Sequence, residues 1–495
     1  MHIFTKRTVS GRLYITSHLL LIVLLLFSSI STANAQDINS YFQKIRNNEA
    51  ELTAFFSQMP KGGDLHNHLS GAIYAETYVD FVVQKDYYIN TTTLQVLEKP
   101  LAGKEWVRFS TLAENGTQAD YIARLMQKWS VKDYNYVSYP SDKLFFETFP
   151  LFDIASKNTV DTGLIELKNR AMSEHVSYLE IMTGIYGDKD IKMPGLPLDN
   201  SLEQAQQNRD TALTSRILDT IFNSIITKVK PIALNNDNYI SGLHWKHAID
   251  DSDFTMRYLF AFSRIGKPSV IFTKMLLAFE AVALDTSSLV VGVNIVAPEN
   301  NDISMHDYWL HMQMFKYLHN KAQLNKVKYS LHAGELALGM VKPEELTWHI
   351  NAAVYTAGAN RIGHGVDLPY ENNPYELLNY MAQHKIAIEI NLFSNEFILK
   401  VSGDRHPIML YKRFNVPIVI STDDAGVLRS NLIEQYVLLA SRYKDISYKD
   451  IKQFVYNSIT YSFIKDAALK ERLTSQLDKQ FSQFEQKVLA TGHYL

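Results

Sequence analysis

The sequence predicts an α/β protein whose core is a (β/α)8 barrel (a TIM barrel), with helical insertions and a helical layer at the C-terminal end. Short apolar runs of strand length alternate with segments of helical period from the run around His66 to Ser421. Such alternation is typical of parallel strands joined by crossover helices. Eight runs of this kind can be counted, and eight strand–helix units close into a barrel.

The predicted strands are short and rich in β-branched and aromatic residues. They are the run around His66 and the segments Val176–Met182, Phe254–Phe262, Leu289–Val296, Lys328–His332, Arg361–His364, Ile386–Asn391 and Val416–Ser421. The helix-period segments between them include Ser269–Leu284, Met305–Asn325, Pro343–Ala357 and Pro374–His384. These elements assign residues 59–495 to the barrel and its additions.

Residues 1–35 are predicted to be a signal peptide and are left out of the fold. Three basic residues precede the apolar run Leu19–Phe27, and Ala33-Asn-Ala35 provides a small-x-small cleavage site. The apolar run is short for a membrane-spanning helix, so an uncleaved anchor is the less favoured alternative. We therefore expect export to a periplasm or secretion, with no membrane attachment after cleavage.

Composition excludes several classes of protein and site. The 495 residues carry a formal charge of -3, and removing the leader with its three basic residues leaves about -6. No basic face for nucleic acid is expected from this balance. The chain has no cysteine, which excludes disulfides, thiolate metal ligands and a lipid-anchored cysteine after the leader.

Three segments lie outside the repeating units. Residues 36–58 have the pattern of one or two amphipathic helices. They could form an arm that serves dimerisation or acts as a lid, and a homodimer is one of the expected partners. We favour the alternative that they form a helix closing the bottom of the barrel. Residues 187–251 are an insertion around a helix, and residues 431–495 form a helical covering layer.

The segment Ser141–Phe149 places four large apolar side chains on one broad helix face. They are Leu144, Phe145, Phe146 and Phe149. This face could form a hydrophobic wall over a pocket or simply belong to the core, and spacing alone favours the core.

Histidines and carboxylates fall at the C-terminal ends of the predicted strands, where the active sites of such barrels lie. In Leu65-His66-Asn67-His68-Leu69 two imidazoles can share a face only if the backbone is extended, because side chains alternate along a strand. The other strand ends carry His332-Ala-Gly-Glu335, Gly363-His364-Gly365 and Ser421-Thr-Asp-Asp424.

Imidazoles with a carboxylate and without a thiol suit zinc in an open catalytic site. Three histidines and one aspartate could bind the ion and leave a position for water, whose pKa zinc lowers toward neutrality. The reaction would then need a base and an acid, for which His364, Glu335 and the second aspartate of the pair are candidates. Gly334 and Gly363 would let the backbone approach a substrate closely.

The full motif set resembles the adenosine deaminase family of metal-dependent hydrolases, in the family's order and from about Met59 to the mid-400s. The exported, growth-factor-like branch is the most similar. The motifs are Met59-Pro-Lys, His66-x-His68-Leu-x-Gly71, His332-Ala-Gly-Glu335, Arg361-Ile-Gly-His-Gly365, Asn391 with Ser394-Asn395, and Ser421-Thr-Asp-Asp424.

The resemblance implies a role for each motif residue. One zinc ion per chain would be bound by His66, His68, His332 and Asp423. Glu335 would protonate N1 of the purine, His364 would orient and deprotonate the attacking water with help from Asp423, and Asp424 would hydrogen-bond N7. His68, Ser70, Ala297 and Gly334 would also contact the substrate. The implied reaction converts adenosine or 2′-deoxyadenosine to inosine or 2′-deoxyinosine and ammonia.

Departures from the family pattern concern the substrate more than the chemistry. Ser70 stands where intracellular relatives carry an aspartate for the ribose 5′-hydroxyl, and Ala297 stands in place of a glycine whose N–H meets N3. Ala425 replaces the usual proline after the aspartate pair. Alternatives are therefore a deaminase of adenine or another 6-aminopurine, and a secreted binding or signalling protein on this scaffold.

Overall fold

A computed structural model describes residues 38–135, 139–191 and 196–491. The predicted signal peptide, residues 1–35, lies outside these ranges. Within them, no helix combines the length and the apolar character that crossing a membrane requires.

Eight parallel strands form the predicted barrel. They are β1 (Gly62–His68), β2 (Val176–Gly184), β3 (Thr255–Ser263), β4 (Val290–Val296), β5 (Lys328–Ala333), β6 (Arg361–His364), β7 (Ala387–Ile390) and β8 (Ile418–Ile420). Each strand pairs with the next in chain order. The barrel closes where Asn67 bridges Asp423, whose N–H donates to the carbonyl of His66 at 2.9 Å. The predicted (β/α)8 fold is confirmed.

Helices cover the barrel on its outside. Those before β2 are 38–45, Glu49–Gln58, Leu69–Ala72, Ala75–Gln84, Phe109–Glu114, Gln118–Lys128, Ser141–Ser156 and Val160–Ser173. Those between β3 and β8 are Pro268–Leu284, Asp302–His319, Pro374–Gln383, Leu392–Leu399 and Ile408–Arg413. After β8 come Ala425–Leu428, Leu432–Arg442, Tyr448–Thr460 and Ala467–Thr491, which form the predicted C-terminal layer.

Two additions interrupt the alternation. The segment predicted as an insertion contains helices Leu196–Gln207 and Thr211–Lys246, and the second packs along the barrel helix Pro268–Leu284. A small antiparallel sheet follows β1 and precedes β2 in the chain. It consists of Tyr88–Asn90, Val96–Leu97 and Trp106–Arg108.

The N-terminal arm packs at the end of the barrel where the strands begin. Helix Glu49–Gln58 lies against helix Leu432–Arg442. The Phe55 ring contacts Phe484, with 5.0 Å between ring centroids. These contacts bury the apolar face of the arm inside the same chain.

The predicted helix Pro343–Ala357 is not continuous. It consists of a 3₁₀ turn (Pro343–Thr347), a short α-turn and a π-helix (Ala352–Ala357). Trp348 leaves the helical conformation with ψ near -7° and φ of -150°, and the Glu371 carboxylate accepts the N–H of Ile350 in place of a helical carbonyl. Periodicity indicated the segment correctly but could not reveal this break.

A buried histidine outside the strand ends makes stability depend on pH. His311 lies in helix Asp302–His319, is 0% exposed, and has no hydrogen-bond partner on either ring nitrogen. Burial, and then Arg264, lowers its pKa to about 3. The unfolded chain binds the proton near pH 6.5 and the folded chain only near pH 3, so stability falls as pH decreases between these values.

When the pH falls from 7 to 5, the free energy of unfolding of the variant His311→Leu is therefore expected to decrease by about 2 kcal/mol less than that of the parent. Urea unfolding at both pH values and one zinc concentration measures this difference. The exposed His384 provides a control, since His384→Leu should follow the parent. Equal acid sensitivity of all three proteins would contradict the assignment.

Candidate active site

The four predicted metal ligands meet at the end of the barrel where the strands end. His66 and His68 lie in β1, His332 lies in β5, and Asp423 follows β8. The His332 Nε2 atom is 3.1 Å from His66 Nε2 and 3.2 Å from His68 Nε2. Oδ1 of Asp423 is 3.5 Å from Nε2 of His66 and 3.2 Å from Nε2 of His68.

This donor set fits a transition-metal ion. Tetrahedral zinc with ligands at about 2.0–2.1 Å places neighbouring donor atoms about 3.3–3.4 Å apart, close to the 3.1–3.5 Å spacings observed. Unprotonated imidazole nitrogens so close together in a buried site repel one another unless a cation lies between them. His364 also has a nitrogen within 4.8 Å of the His66, His332 and Asp423 donors.

Two further side chains fix the orientation of these imidazoles. His66 Nδ1 is 2.7 Å from a Glu389 carboxylate oxygen. His332 Nδ1 is 3.0 Å from the side-chain amide oxygen of Asn294. Both partners accept a hydrogen bond from Nδ1–H, which leaves Nε2 free to bind a metal. Sequence reasoning missed Glu389 and Asn294; the only signal was a polar residue inside an otherwise apolar strand.

A buried ion-pair cluster lies behind Glu389. Arg361 donates to Glu389 at 2.5 Å and to Glu180 at 2.6 Å. Burial alone would raise the pKa of Glu389, but Arg361 and His66 lower it to about 2. Glu389 is therefore ionised when it accepts the hydrogen bond from His66 Nδ1.

Removing this charge is expected to weaken metal binding. Glu389→Gln should lower zinc affinity by about 10–100-fold, the usual effect of losing such an outer partner. Competition with a chromophoric chelator measures the affinity. Glu396→Gln, at a half-buried ion pair with Arg442 away from the cluster, is the control. Unchanged affinity in Glu389→Gln would show that His66 does not depend on this carboxylate.

The turn after β5 presents Glu335 to the site. Both Glu299 carboxylate oxygens accept backbone N–H groups, from Gly334 at 3.1 Å and from Glu335 at 3.0 Å. His349 in turn lies 2.6 Å from Glu299. Gly334 has φ of 73°, which favours glycine. Its N–H donates to Glu299, and Gly334 is not among the lining residues of the cavity described below. The substrate contact of Gly334 stays a prediction.

Two buried carboxyl groups face the metal cluster. Burial, followed by the charges of Asp423 and Glu299, raises the pKa of Glu335 well above its usual range. Burial and Asp423 raise the pKa of Asp424 in the same way. By contrast, hydrogen bonds with His66 and His68 outweigh burial and keep the pKa of Asp423 well below its usual range. Two carboxyl groups are thus poised to hold protons, and one to remain ionised.

His364 is held through its other nitrogen. The Asn395 amide donates to His364 Nδ1 at 2.9 Å, while the Asn395 carbonyl accepts from His406 at 3.1 Å. With Nδ1 accepting, neutral His364 carries its proton on Nε2, 4.0 Å from Asp423 Oδ2. This tautomer can orient a water by donating to it.

Three site residues other than glycine have a left-handed backbone. Their φ angles are 89° for Ala297, 69° for His364 and 62° for Asp423. Such conformations are unfavourable for residues with a Cβ and concentrate at functional sites. Gly71 is constrained differently, because a Cβ there would lie 1.6 Å from Asp424 Oδ1. The aspartate therefore needs this glycine beside it.

A cavity of about 310 Å³ opens above the metal cluster. Its lining includes the predicted residues His68, Ser70, Ala297, His332, Glu335, His364, Asp423 and Asp424. The remaining lining residues are apolar. No lysine or arginine is among the described residues that line this cavity. The volume is near the lower end of the range for small-molecule sites, about 300–1,000 Å³.

The helix Ser141–Ser156 supplies the apolar wall of this cavity. Phe145, Phe146 and Phe149 all line it, together with Pro150. Phe145 is buried, whereas Phe146 and Phe149 are only partly buried. The preference for a purely core role was wrong for these phenylalanines, because spacing shows which face is apolar but not what that face covers.

Comparison with known proteins gives a consistent picture. Residues 237–480 match the family described as adenosine deaminase. An adenosine deaminase of Yersinia pseudotuberculosis is 32% identical over 154 residues, covering 31% of this chain and 42% of that protein. The human N6-methyl-AMP deaminase is 28% identical over 244 residues, 48% of this chain and 62% of that protein. The chain thus spans less than two thirds of either relative.

Solved structures share the fold over most of the chain. An amidohydrolase from Burkholderia ambifaria with bound Zn has a TM-score of 0.53 and 16% identity, covering 88% of this chain and 94% of that one. The N6-methyl-AMP deaminase of Arabidopsis thaliana gives 0.54 and 19%, with 86% and 98% covered. The barrel, the match of residues 237–480 and the aligned relatives together support assignment of this chain to the adenosine deaminase family.

Proposed function

We propose that the protein is a zinc-dependent deaminase of adenosine and 2′-deoxyadenosine, with one zinc ion per chain. The observation that carries this proposal is the convergence of four metal-ligand donors, three of which line one small cavity together with Glu335 and Asp424. The ion would be bound by His66, His68, His332 and Asp423. When bound, it would supply a water of lowered pKa as the nucleophile.

The side chains around the ion have complementary tasks. Glu335, buried and in the cavity wall, gives its proton to purine N1, which makes C6 electrophilic. His364 orients the water through Nε2–H, and Asp423 takes up the proton that the water loses. The water oxygen adds to C6, and the proton held by Asp423 passes to N6, so that the C6–N6 bond breaks and ammonia leaves. The remaining hydroxyl proton returns to Glu335, which gives C6=O and leaves N1 protonated.

The part of the cavity next to the metal ligands would hold the purine and its sugar. Asp424 has a buried carboxyl oxygen without a hydrogen-bond partner in the described structure. In its protonated form this group would donate to N7. The phenylalanine wall would pack against apolar parts of the nucleoside, and Ser70 and Ala297 would lie at its edge.

The lining residues favour a nucleoside over a nucleotide. A 5′-phosphate would lose hydration on entering a cavity whose described lining residues include no lysine or arginine to pair with it. Burying an ion without a charged partner costs on the order of several kcal/mol. We therefore propose that the monophosphate substrate named for some relatives is rejected.

A substrate panel tests the proposal. Zinc-loaded full-length protein is incubated with adenosine, 2′-deoxyadenosine, adenine, AMP and N6-methyl-AMP, and ultraviolet absorbance and ammonia release are followed. Adenosine and 2′-deoxyadenosine should be converted, and kcat/KM for AMP should be lower by at least about 100-fold. No turnover of either nucleoside would reject the proposal, and preferred turnover of a monophosphate or of adenine would change the substrate.

Export is proposed from the N-terminal sequence pattern. Expression of the full chain in a bacterial host, followed by fractionation and N-terminal mass analysis, should give a periplasmic or secreted product beginning near Gln36. A cytoplasmic product that keeps residues 1–35 would contradict this part of the proposal.

A further inference from the structure

The opposite end of the barrel carries a second cavity, of about 570 Å³. It is lined by residues at the beginnings of strands, including Val291 of β4, Lys328 of β5 and Ile386 just before β7. Residues 460–465, which begin at the last residue of helix Tyr448–Thr460, form another part of its wall. Because the metal ligands lie at the other ends of the strands, the two cavities are separate.

This second cavity is strongly basic. Five lysines line it, and no aspartate or glutamate is among its described lining residues. The lysines are Lys326, Lys328, Lys385, Lys465 and Lys470. The chain as a whole carries a net charge of -3, so this concentration of positive charge is a local feature.

Most of this charge is not neutralised within the described structure. Lys465 pairs with Asp285 at 3.0 Å, and Lys470 donates to the carbonyls of Thr460 and Ser462 at 2.9 and 3.0 Å. Lys326, Lys328 and Lys385 are exposed, and their ammonium groups have neither an ion pair nor a hydrogen bond among the described residues. A bound anion would relieve the repulsion among these ammonium groups.

We propose that this cavity binds a small anion that carries two or more phosphate groups. Clefts lined by charge of one sign focus the electrostatic field and concentrate ions of the opposite sign. Lysine ammonium groups bind phosphate as point charges and can follow several positions of the ligand. The cavity also contains Tyr380, Tyr461 and Phe463, which give an organic group attached to the phosphates a surface to pack on.

The experiment is calorimetric titration of the zinc-loaded full-length protein at about 0.15 M salt with inorganic tripolyphosphate. Saturable binding is expected, and its Kd should rise with salt because the lysines are exposed. ATP is the second ligand tested. Equal affinities would mean that the phosphates alone are bound, and tighter binding of ATP would mean that its organic part also contributes.

Variants separate this site from general charge attraction and from chelation of zinc by the ligand. Lys328→Gln/Lys385→Gln should weaken binding about tenfold or more, since two charge-assisted contacts are lost. The control Lys228→Gln/Lys479→Gln removes the same charge from exposed positions outside the cavity and should leave Kd unchanged. An unchanged thermal unfolding midpoint establishes that both variants fold. Absence of saturable binding, or equal weakening in both variants, would overturn the proposal.

Discussion

Replacing Glu335 by glutamine is expected to lower kcat for adenosine by about 10²–10⁴-fold, the range that a positioned general acid contributes. Glu335 is buried in the wall of the metal-centred cavity, with a carboxylate oxygen 3.6 Å from His364 Nδ1. Glutamine preserves the shape and a hydrogen-bond donor but cannot transfer a proton to the purine. Steady-state kinetics should show a loss in kcat with little change in KM.

Two checks make this result interpretable. Zinc content should stay at one ion per chain, because Glu335 is not among the proposed ligands. Glu344→Gln, an exposed change a few residues along the chain, should retain full activity. If zinc-loaded Glu335→Gln kept more than about a tenth of the parent kcat, the proton donor would have to be another group.

Loss of His332 should have an effect at least as large. His332 Nε2 lies within 3.2 Å of both β1 histidine nitrogens, so its imidazole is central to the donor set. His332→Ala is expected to lose its zinc and at least about 10³-fold in turnover, which corresponds to about 4 kcal/mol of barrier. Metal analysis and kinetics on the same preparation measure both quantities.

His319→Ala is the matched control. His319 ends the neighbouring helix Asp302–His319 and is not one of the clustered histidines. This variant should keep its zinc and its turnover. Full zinc occupancy in His332→Ala would mean that a different set of side chains holds the ion.

The sequence predicted the barrel and the position of its site because both depend on local patterns. Each strand is an apolar run of limited length, and parallel pairing brings all strand ends to one mouth. His66, His332 and Asp423 could therefore be placed together although they are far apart in the chain. The left-handed φ of Ala297 could not be read from alanine itself, which does not favour that conformation.

The residues that support the site were missed for a physical reason. Glu299 becomes important only when folding brings it to the N–H groups of Gly334 and Glu335, and nothing near it in sequence indicates this contact. Glu389 likewise acts through His66, more than 300 residues away. The lysines of the basic cavity are spread from 326 to 470, so no local charge run predicts their convergence.

Metal analysis of purified, active protein tests the whole interpretation most directly. One zinc ion per chain is expected, and a chelator should remove it together with deamination, both returning when zinc is restored. Preparations that turn over adenosine without a stoichiometric transition metal would contradict the account, however closely the four side chains approach one another.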